Sequence, residues 1–243
     1  MTELSPQHDH TNNGDPALID EAWSGYKRGF DLAIVGSAHI FLFPLWVVLW
    51  VVIPAMVWIG DRGPIFYKQK RVGKDGKIFT VLKFRTMVKN ADRLGPAWTT
   101  VGDIRITKIG KILRRTALDE LPEVISIFRG HMSLVGPRPL DVVEHERFEQ
   151  LVPGFSRRLK LMPGLTGLAQ VYDHTDDASN KFMYDQEYIR RMSPWLDIKL
   201  LVMSVLATVF GRWDNRAGKS EAPENPLALD GEKKTEEEHS NYP

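Results

Sequence analysis

Residues 32–59 read LAIVGSAHIFLFPLWVVLWVVIPAMVWI, 28 consecutive positions without Asp, Glu, Lys or Arg. About 20 apolar residues suffice to cross the hydrocarbon core of a bilayer, so this stretch is expected in a membrane. Trp46, Trp50 and Trp58 supply amphipathic anchors. Pro44 and Pro54 each remove a backbone donor and crowd the preceding turn, so both are expected to interrupt the helix. Pro44 leaves arms of 12 and 15 residues, roughly 18 and 22 Å at about 1.5 Å per residue, each short of a core of about 30 Å. Two readings stand: a kinked span, or a helix-break-helix that dips into one leaflet and returns. His39, inside the segment, is either satisfied by a local carbonyl or functional.

Charge is distributed in blocks around this segment. Lys and Arg number 32 against 31 Asp and Glu, yet residues 62–115 carry 15 bases and 3 acids, residues 1–26 carry five acids and no Lys or Arg, and residues 214–243 carry 8 acids and 4 bases. Lys27 and Arg28 precede the apolar run and Arg62, Lys68, Lys70 and Arg71 follow it. The positive-inside bias therefore places the C-terminal flank in the cytoplasm and permits the N-terminal flank there too. The 26 leading residues are polar and lack the basic start, apolar run and small-residue cleavage site of a secretory signal, so a disordered tail is expected there, as in the stretch after 213. With no Cys in the chain, disulfide scaffolds, thiolate metal sites and cysteine nucleophiles are excluded.

The expected architecture is α+β: a membrane helix over 27–60, a basic β-hairpin and a helical domain over 61–213. Residues 65–72 and 77–87 are β-prone and flank Gly73-Lys74-Asp75-Gly76, whose Asp-Gly step signals a hairpin. Thr107 can cap a helix with Ile109, Ile112 and Leu113 on one face and Lys108, Lys111 and Arg115 around it. Such a helix lies against an anionic surface or is the solvated face of a soluble helix. Residues 184–213 read as helix broken at Ser193-Pro194, and the uncharged run 200–211 packs on the core or lies in the interface.

The densest chemical signal is Arg114-Arg115-Thr116-Ala117-Leu118-Asp119-Glu120-Leu121-Pro122, followed by Ser133-Leu134-Val135-Gly136-Pro137-Arg138-Pro139. Thr116 and Asp119 could form a capping box with Glu120 a solvated acid. Alternatively both carboxylates sit near a helix start, ionised by dipole and arginines, as an anionic nucleophile and a divalent-metal ligand. A carboxylate attacks phosphorus only when cations neutralise the phosphoryl oxygens, and Arg85, Arg114 and Arg138 are the candidates. Arg138, between two prolines, is either a presented guanidinium or a surface residue on a structural turn. The sequence shows no Walker loop, Rossmann fingerprint or HExxH motif.

Phe84-Arg85-Thr86-Met87, Arg105-Ile106-Thr107, Leu118 to Pro122, Met132 to Pro139 and Pro163-Gly164-Leu165-Thr166-Gly167-Leu168-Ala169-Gln170 stand in the order and spacing of the bacterial sugar transferases. Over about residues 27–213 the chain resembles a small monotopic phosphoglycosyl transferase. The resemblance implies transfer of a sugar 1-phosphate from a nucleotide-diphosphate sugar, such as a UDP-sugar, to polyprenyl (undecaprenyl) phosphate, initiating exopolysaccharide or lipopolysaccharide assembly. It further implies Asp119 as nucleophile, Mg²⁺ held at Asp119 and Glu120, and Arg85, Arg114 and Arg138 on phosphate or nucleotide. Its membrane helix is re-entrant, broken at the position of Pro44, with the catalytic domain on the cytoplasmic face of the bacterial inner membrane. Anionic lipids are further expected partners, and a homo-oligomer is compatible with it. His131 stands where the family commonly has Asp, Met162 where it has a base, Ser126 where Asn is frequent and Phe43 where Ser is frequent.

Two other functions compete: a membrane-anchored scaffold with weakened activity, motivated by His131 and Met162, and a basic module binding anionic lipid or nucleic acid. No aromatic-basic RNA motif accompanies the charge, so a nucleic-acid partner is not expected.

Overall fold

In the computed structural model, which describes residues 16–95, 103–173, 175 and 177–210, the apolar stretch forms two helices. Helix α1 (Pro16–Phe41) and α2 (Phe43–Asp61) are separated by Leu42, with Pro44 in the first turn of α2, where its missing N–H would lack a partner in any case. The break is closed by side chains: Trp46 Nε1 donates to the Ala38 carbonyl at 3.2 Å, and its indole stacks on His39 at 4.1 Å. His39 Nδ1 lies 2.7 Å from the Val35 carbonyl, the local satisfaction weighed for it above. Several sequence expectations change here. Helix α1 begins at Pro16, inside the stretch read as tail; residues 1–15 and 211–243 lie outside the described residues. Pro54 does not interrupt α2, whose Ile53 and Val57 are packed on either side of it.

Consequently α2 has 19 residues, about 28 Å, and is long and apolar enough to cross a membrane. The arm beyond the break, at 19 residues, is thus not too short to cross. Both helices nevertheless pack against one body. Val35 of α1 belongs to the main core, and Ile53 and Val57 of α2 join Phe84 and Leu113 in a second cluster. Between these anchors the turn is bare: Ile40 and Phe41 are 74% and 82% exposed.

Strands β1 (Phe66–Val72) and β2 (Ile78–Phe84) form the expected hairpin, registered from Phe66↔Phe84 to Val72↔Ile78. Asp75 and Gly76 both take positive φ, 55° and 75°, which matches the strand twist. Thr107 caps α3 (Lys108–Arg115), its Oγ1 accepting the Gly110 N–H at 2.9 Å. Leu113 turns inward, while Ile112 points out at 56% exposed, so the expected apolar face is split. A 3-10 turn (Leu118–Glu123) leads into α4 (Val124–Phe128), whose last carbonyls, Ile127 and Phe128, accept from Arg28.

Strand β3 (Ser133–Val135) pairs in parallel with β4 (Gly164–Thr166), across an interval holding α5 (Val142–Leu151) and a 3-10 turn (Phe155–Lys160). The sequence reading contained no such pair. A Cβ at Gly136 would reach 2.5 Å from the Met162 carbonyl, so the chain leaving β3 needs glycine to pass β4. The other edge of β3 is served by α1 side chains. Asp31 Oδ1 accepts the Leu134 N–H at 3.1 Å, and Lys27 Nζ donates to the Val135 carbonyl at 2.8 Å.

Beyond β4 lie α6 (Leu168–Tyr172), α7 (Ala178–Arg191) and α8 (Pro194–Val209), the last two divided at Ser193, whose hydroxyl caps α8. Lys27 is fully buried with three donors and three acceptors: Val135 O, Tyr188 Oη at 3.0 Å and Asp197 Oδ2 at 2.7 Å. The apolar run packs on the core through one face of α8 and leaves another face exposed. Leu200 is fully buried, whereas Trp195 and Val209 are 77% and 71% exposed. The mixture of helices with two small sheets agrees with the α+β expectation.

Candidate active site

The site grows from the end of β2. Alternation puts Phe79, Val81, Lys83 and Arg85 on one face, the first two buried in the core and the last two carrying charge to its rim. Across from them Ala117 adopts φ 53°, a left-handed conformation disfavoured for any residue with a Cβ, and turns the chain into the 3-10 segment bearing Asp119 and Glu120. No capping box forms. The Thr116 hydroxyl donates instead to the Ile112 and Leu113 carbonyls.

The adjacent carboxylates have different surroundings. Glu120 Oε1 receives Lys83 Nζ at 2.6 Å and Arg138 Nη2 at 2.7 Å, and Lys83 also meets Glu123 Oε1 at 3.1 Å. Among the described residues no side chain hydrogen-bonds or ion-pairs with Asp119. Burial alone would raise Glu120, but Arg138 and Lys83 outweigh it and hold the carboxyl well below the usual carboxylate range. Burial, then the Glu120 charge, push the Asp119 carboxyl up to about 6, against the pull of Lys83 and Arg114. The expectation of two carboxylates favoured as anions by a helix dipole is thus corrected: the turn is short, and neighbouring charges set the two groups apart.

The five residues singled out from sequence separate as follows. Asp119, Glu120 and Arg138 are brought together. Arg114 acts on Asp119 through its charge, while its Nε donates to Thr86 Oγ1 at 2.8 Å. Arg85 does not join them in direct contact. Its Nη1 donates to Asp61 Oδ2 at 3.0 Å and its Nη2 to Asp61 Oδ1, tying the hairpin to the end of α2. His131 is exposed, its ring 5.8 Å from that of Phe79.

Lys83, Glu123 and Asp61 were missed by the sequence reading. A signal for Lys83 existed: Lys83 and Arg85, two apart on a strand, share a face with a run of buried apolar residues. For metal, no group of three or more His, Cys, Asp or Glu is gathered among the described residues. Among the described residues Glu120 Oε2 and the Asp119 carboxylate nonetheless have no side-chain hydrogen-bond or ion-pair partner, and such hard oxygen donors suit Mg²⁺ shared with substrate phosphates.

A family model described as bacterial sugar transferase matches residues 22–211. The chain is 38% identical over 207 residues to the UDP-glucose:undecaprenyl-phosphate glucose-1-phosphate transferase of Klebsiella pneumoniae, covering 79% of this chain and 43% of that protein. It is 32% identical over 206 residues to an Aeromonas hydrophila UDP-N-acetylgalactosamine-undecaprenyl-phosphate N-acetylgalactosaminephosphotransferase, covering 83% and 48%. It is 35% identical over 202 residues to the exopolysaccharide production protein ExoY of Sinorhizobium fredii, covering 76% and 86%. The match thus spans under half of the first two relatives and most of the third.

Proposed function

Because the chain belongs to the bacterial sugar transferase family, we propose that it transfers a sugar 1-phosphate from a UDP-sugar to undecaprenyl phosphate, by way of a phosphosugar intermediate on Asp119. The observation that carries this reading is the contrast between two adjacent carboxylates, Glu120 paired with two cations and Asp119, among the described residues, without a side-chain hydrogen bond or ion pair. An Asp119 oxygen attacks the phosphorus that bears the sugar. The P–O bond to the nucleoside monophosphate breaks, and UMP leaves with that electron pair. An oxygen of the lipid phosphate then attacks the same phosphorus and displaces the Asp119 carboxylate, giving the polyprenyl diphosphate sugar.

Arg138, Arg114 and Lys83 surround the carboxylates with positive charge, which lets two anions approach. Mg²⁺ held by Asp119 and Glu120 Oε2 would neutralise the substrate's diphosphate. Arg85 is held by Asp61 and would meet a phosphate through its remaining N–H groups or by exchanging Asp61 for it.

The helix pair over 27–60 is read as re-entrant, with the catalytic domain on the cytoplasmic face of the inner membrane. Support comes from both arms packing on one body while the turn between them is exposed and apolar. The exposed face of α8, with Trp195 and Val209, suits the interfacial plane and anionic lipids near the basic block. Exopolysaccharide assembly is the pathway class, in keeping with the ExoY relative.

The test is UMP release by the full chain in detergent from a panel of UDP-sugars, with and without undecaprenyl phosphate and Mg²⁺. Sustained turnover requiring both is expected. Failure of every UDP-sugar in their presence would overturn the reading.

A further inference from the structure

We infer that Arg158 and Arg71 are positioning residues for Arg138, clamping the backbone from which its guanidinium reaches Glu120. Four consecutive carbonyls of this loop are each held by a donor from elsewhere in the fold. Pro137 O accepts the Gly164 N–H at 2.9 Å, Arg138 O accepts Arg158 Nη2 at 2.8 Å, Pro139 O accepts Arg71 Nη1 at 3.0 Å and Leu140 O accepts the Val72 N–H at 2.9 Å. Backbone donors fix the two outer carbonyls and guanidinium groups the two inner ones. With φ also set at Pro137 and Pro139, the side chain is the part of Arg138 left to move.

Arg158 is itself immobilised. Its Nε donates to Asp185 Oδ2 at 2.7 Å, and both side chains are 3% exposed. One planar fork therefore spans a buried carboxylate on α7 and the carbonyl of Arg138. Lysine, a single ammonium, cannot reproduce both contacts in that geometry. Stability alone does not require the pair, since well-packed apolar residues commonly replace buried ion pairs without loss. Arg71 is steadied in turn by Gln69, Nη2 to Oε1 at 2.7 Å. The catalytic value assigned to Arg138 rests on the function proposed above, but the clamp does not.

The experiment combines hydrogen exchange with kinetics on the full chain in detergent. In Arg158→Lys, the Val72 and Gly164 amides should exchange about tenfold faster while distant amides and Tm stay near wild type. Turnover should fall about 10- to 100-fold, the usual consequence of a sub-ångström to ångström misplacement. In an Arg138→Lys background the same change should add little, because its effect passes through Arg138. If Arg158→Lys does not fold, Arg158→Met/Asp185→Leu and, separately, Arg71→Met carry the same expectations. Unchanged exchange at both amides, or fully additive losses of turnover, would overturn the inference. Faster exchange in a protein whose wild type turns over no UDP-sugar would uphold the clamp and count against the proposed function alone.

Discussion

Lys83 Nζ lies 2.6 Å from Glu120 Oε1, so a residue of the hairpin neutralises the carboxylate next to Asp119. Lys83 reaches Glu123 as well, and burial, which would lower its pKa, is outweighed by these two acids. The hairpin therefore sets the charge of the 3-10 turn. Glu120 Oε1 is paired within the protein, whereas Asp119 has no side-chain hydrogen bond or ion pair among the described residues.

Asp119→Asn should abolish turnover and the covalent adduct, read by intact-protein mass spectrometry after incubation with UDP-sugar and Mg²⁺. Near wild-type turnover, or an adduct mapped to another residue, would sink Asp119 as nucleophile.

The same variant should be more stable in Mg²⁺-free buffer. Asp119 is raised from 3.8 to about 6 in the fold, so its ionisation costs stability as pH rises through that window and the penalty is full above it. Asn removes the penalty. The gain should be absent below about pH 4, grow to about pH 6 and reach on the order of 1–3 kcal/mol. Denaturant melts across this range check it, and a gain independent of pH would contradict the electrostatic cause.

Lys83→Met should leave Glu120 and Glu123 facing each other with one cation fewer. Removing one partner from such a buried cluster costs about 3 kcal/mol, and Glu123→Gln in the same chain should recover part of it. An additive double variant would show that the two residues do not interact.

Ala117 holds a left-handed conformation immediately before the reactive turn. Ala117→Gly should be neutral or gain up to about 1 kcal/mol, whereas the β-branched Ala117→Val should lose about 1–2 kcal/mol together with turnover. Equal Tm values for the two variants would mean that the conformation is not retained.

Topology can be read from single cysteines, because the chain has none of its own. Gly25→Cys, within α1, and Pro64→Cys, after α2, occupy exposed positions on either side of the apolar run 32–59. Both should resist an impermeant thiol reagent in intact cells and react after lysis. External labelling at residue 25 would make the pair a membrane span.

Local chemistry was legible in the sequence, and long-range pairing was not. Asp75-Gly76 announced the turn, Thr107 a cap and Ser193-Pro194 a helix break, because each acts within a few residues. Pro16 was an available start signal, obscured by the acidic, turn-rich composition around it. Three-residue strands such as β3 and β4 are too short to show alternation, and nothing local told which carboxylate Arg85 would meet. The departure of Asp119 from its neighbour depends on burial under β2 and on Arg138, eighteen residues from Glu120.

The Lys27–Asp197 contact joins residues 170 positions apart. During synthesis α8 leaves the ribosome long after Lys27 has been made, so Lys27 must wait with its charge still hydrated. Only when Asp197 and Tyr188 arrive can that ammonium be drawn in against Val135. The last described helix thereby completes the burial of Lys27: a nascent chain stopped before it would hold α1 by Arg28 and Asp31 while the Lys27 ammonium lacked its Asp197 partner.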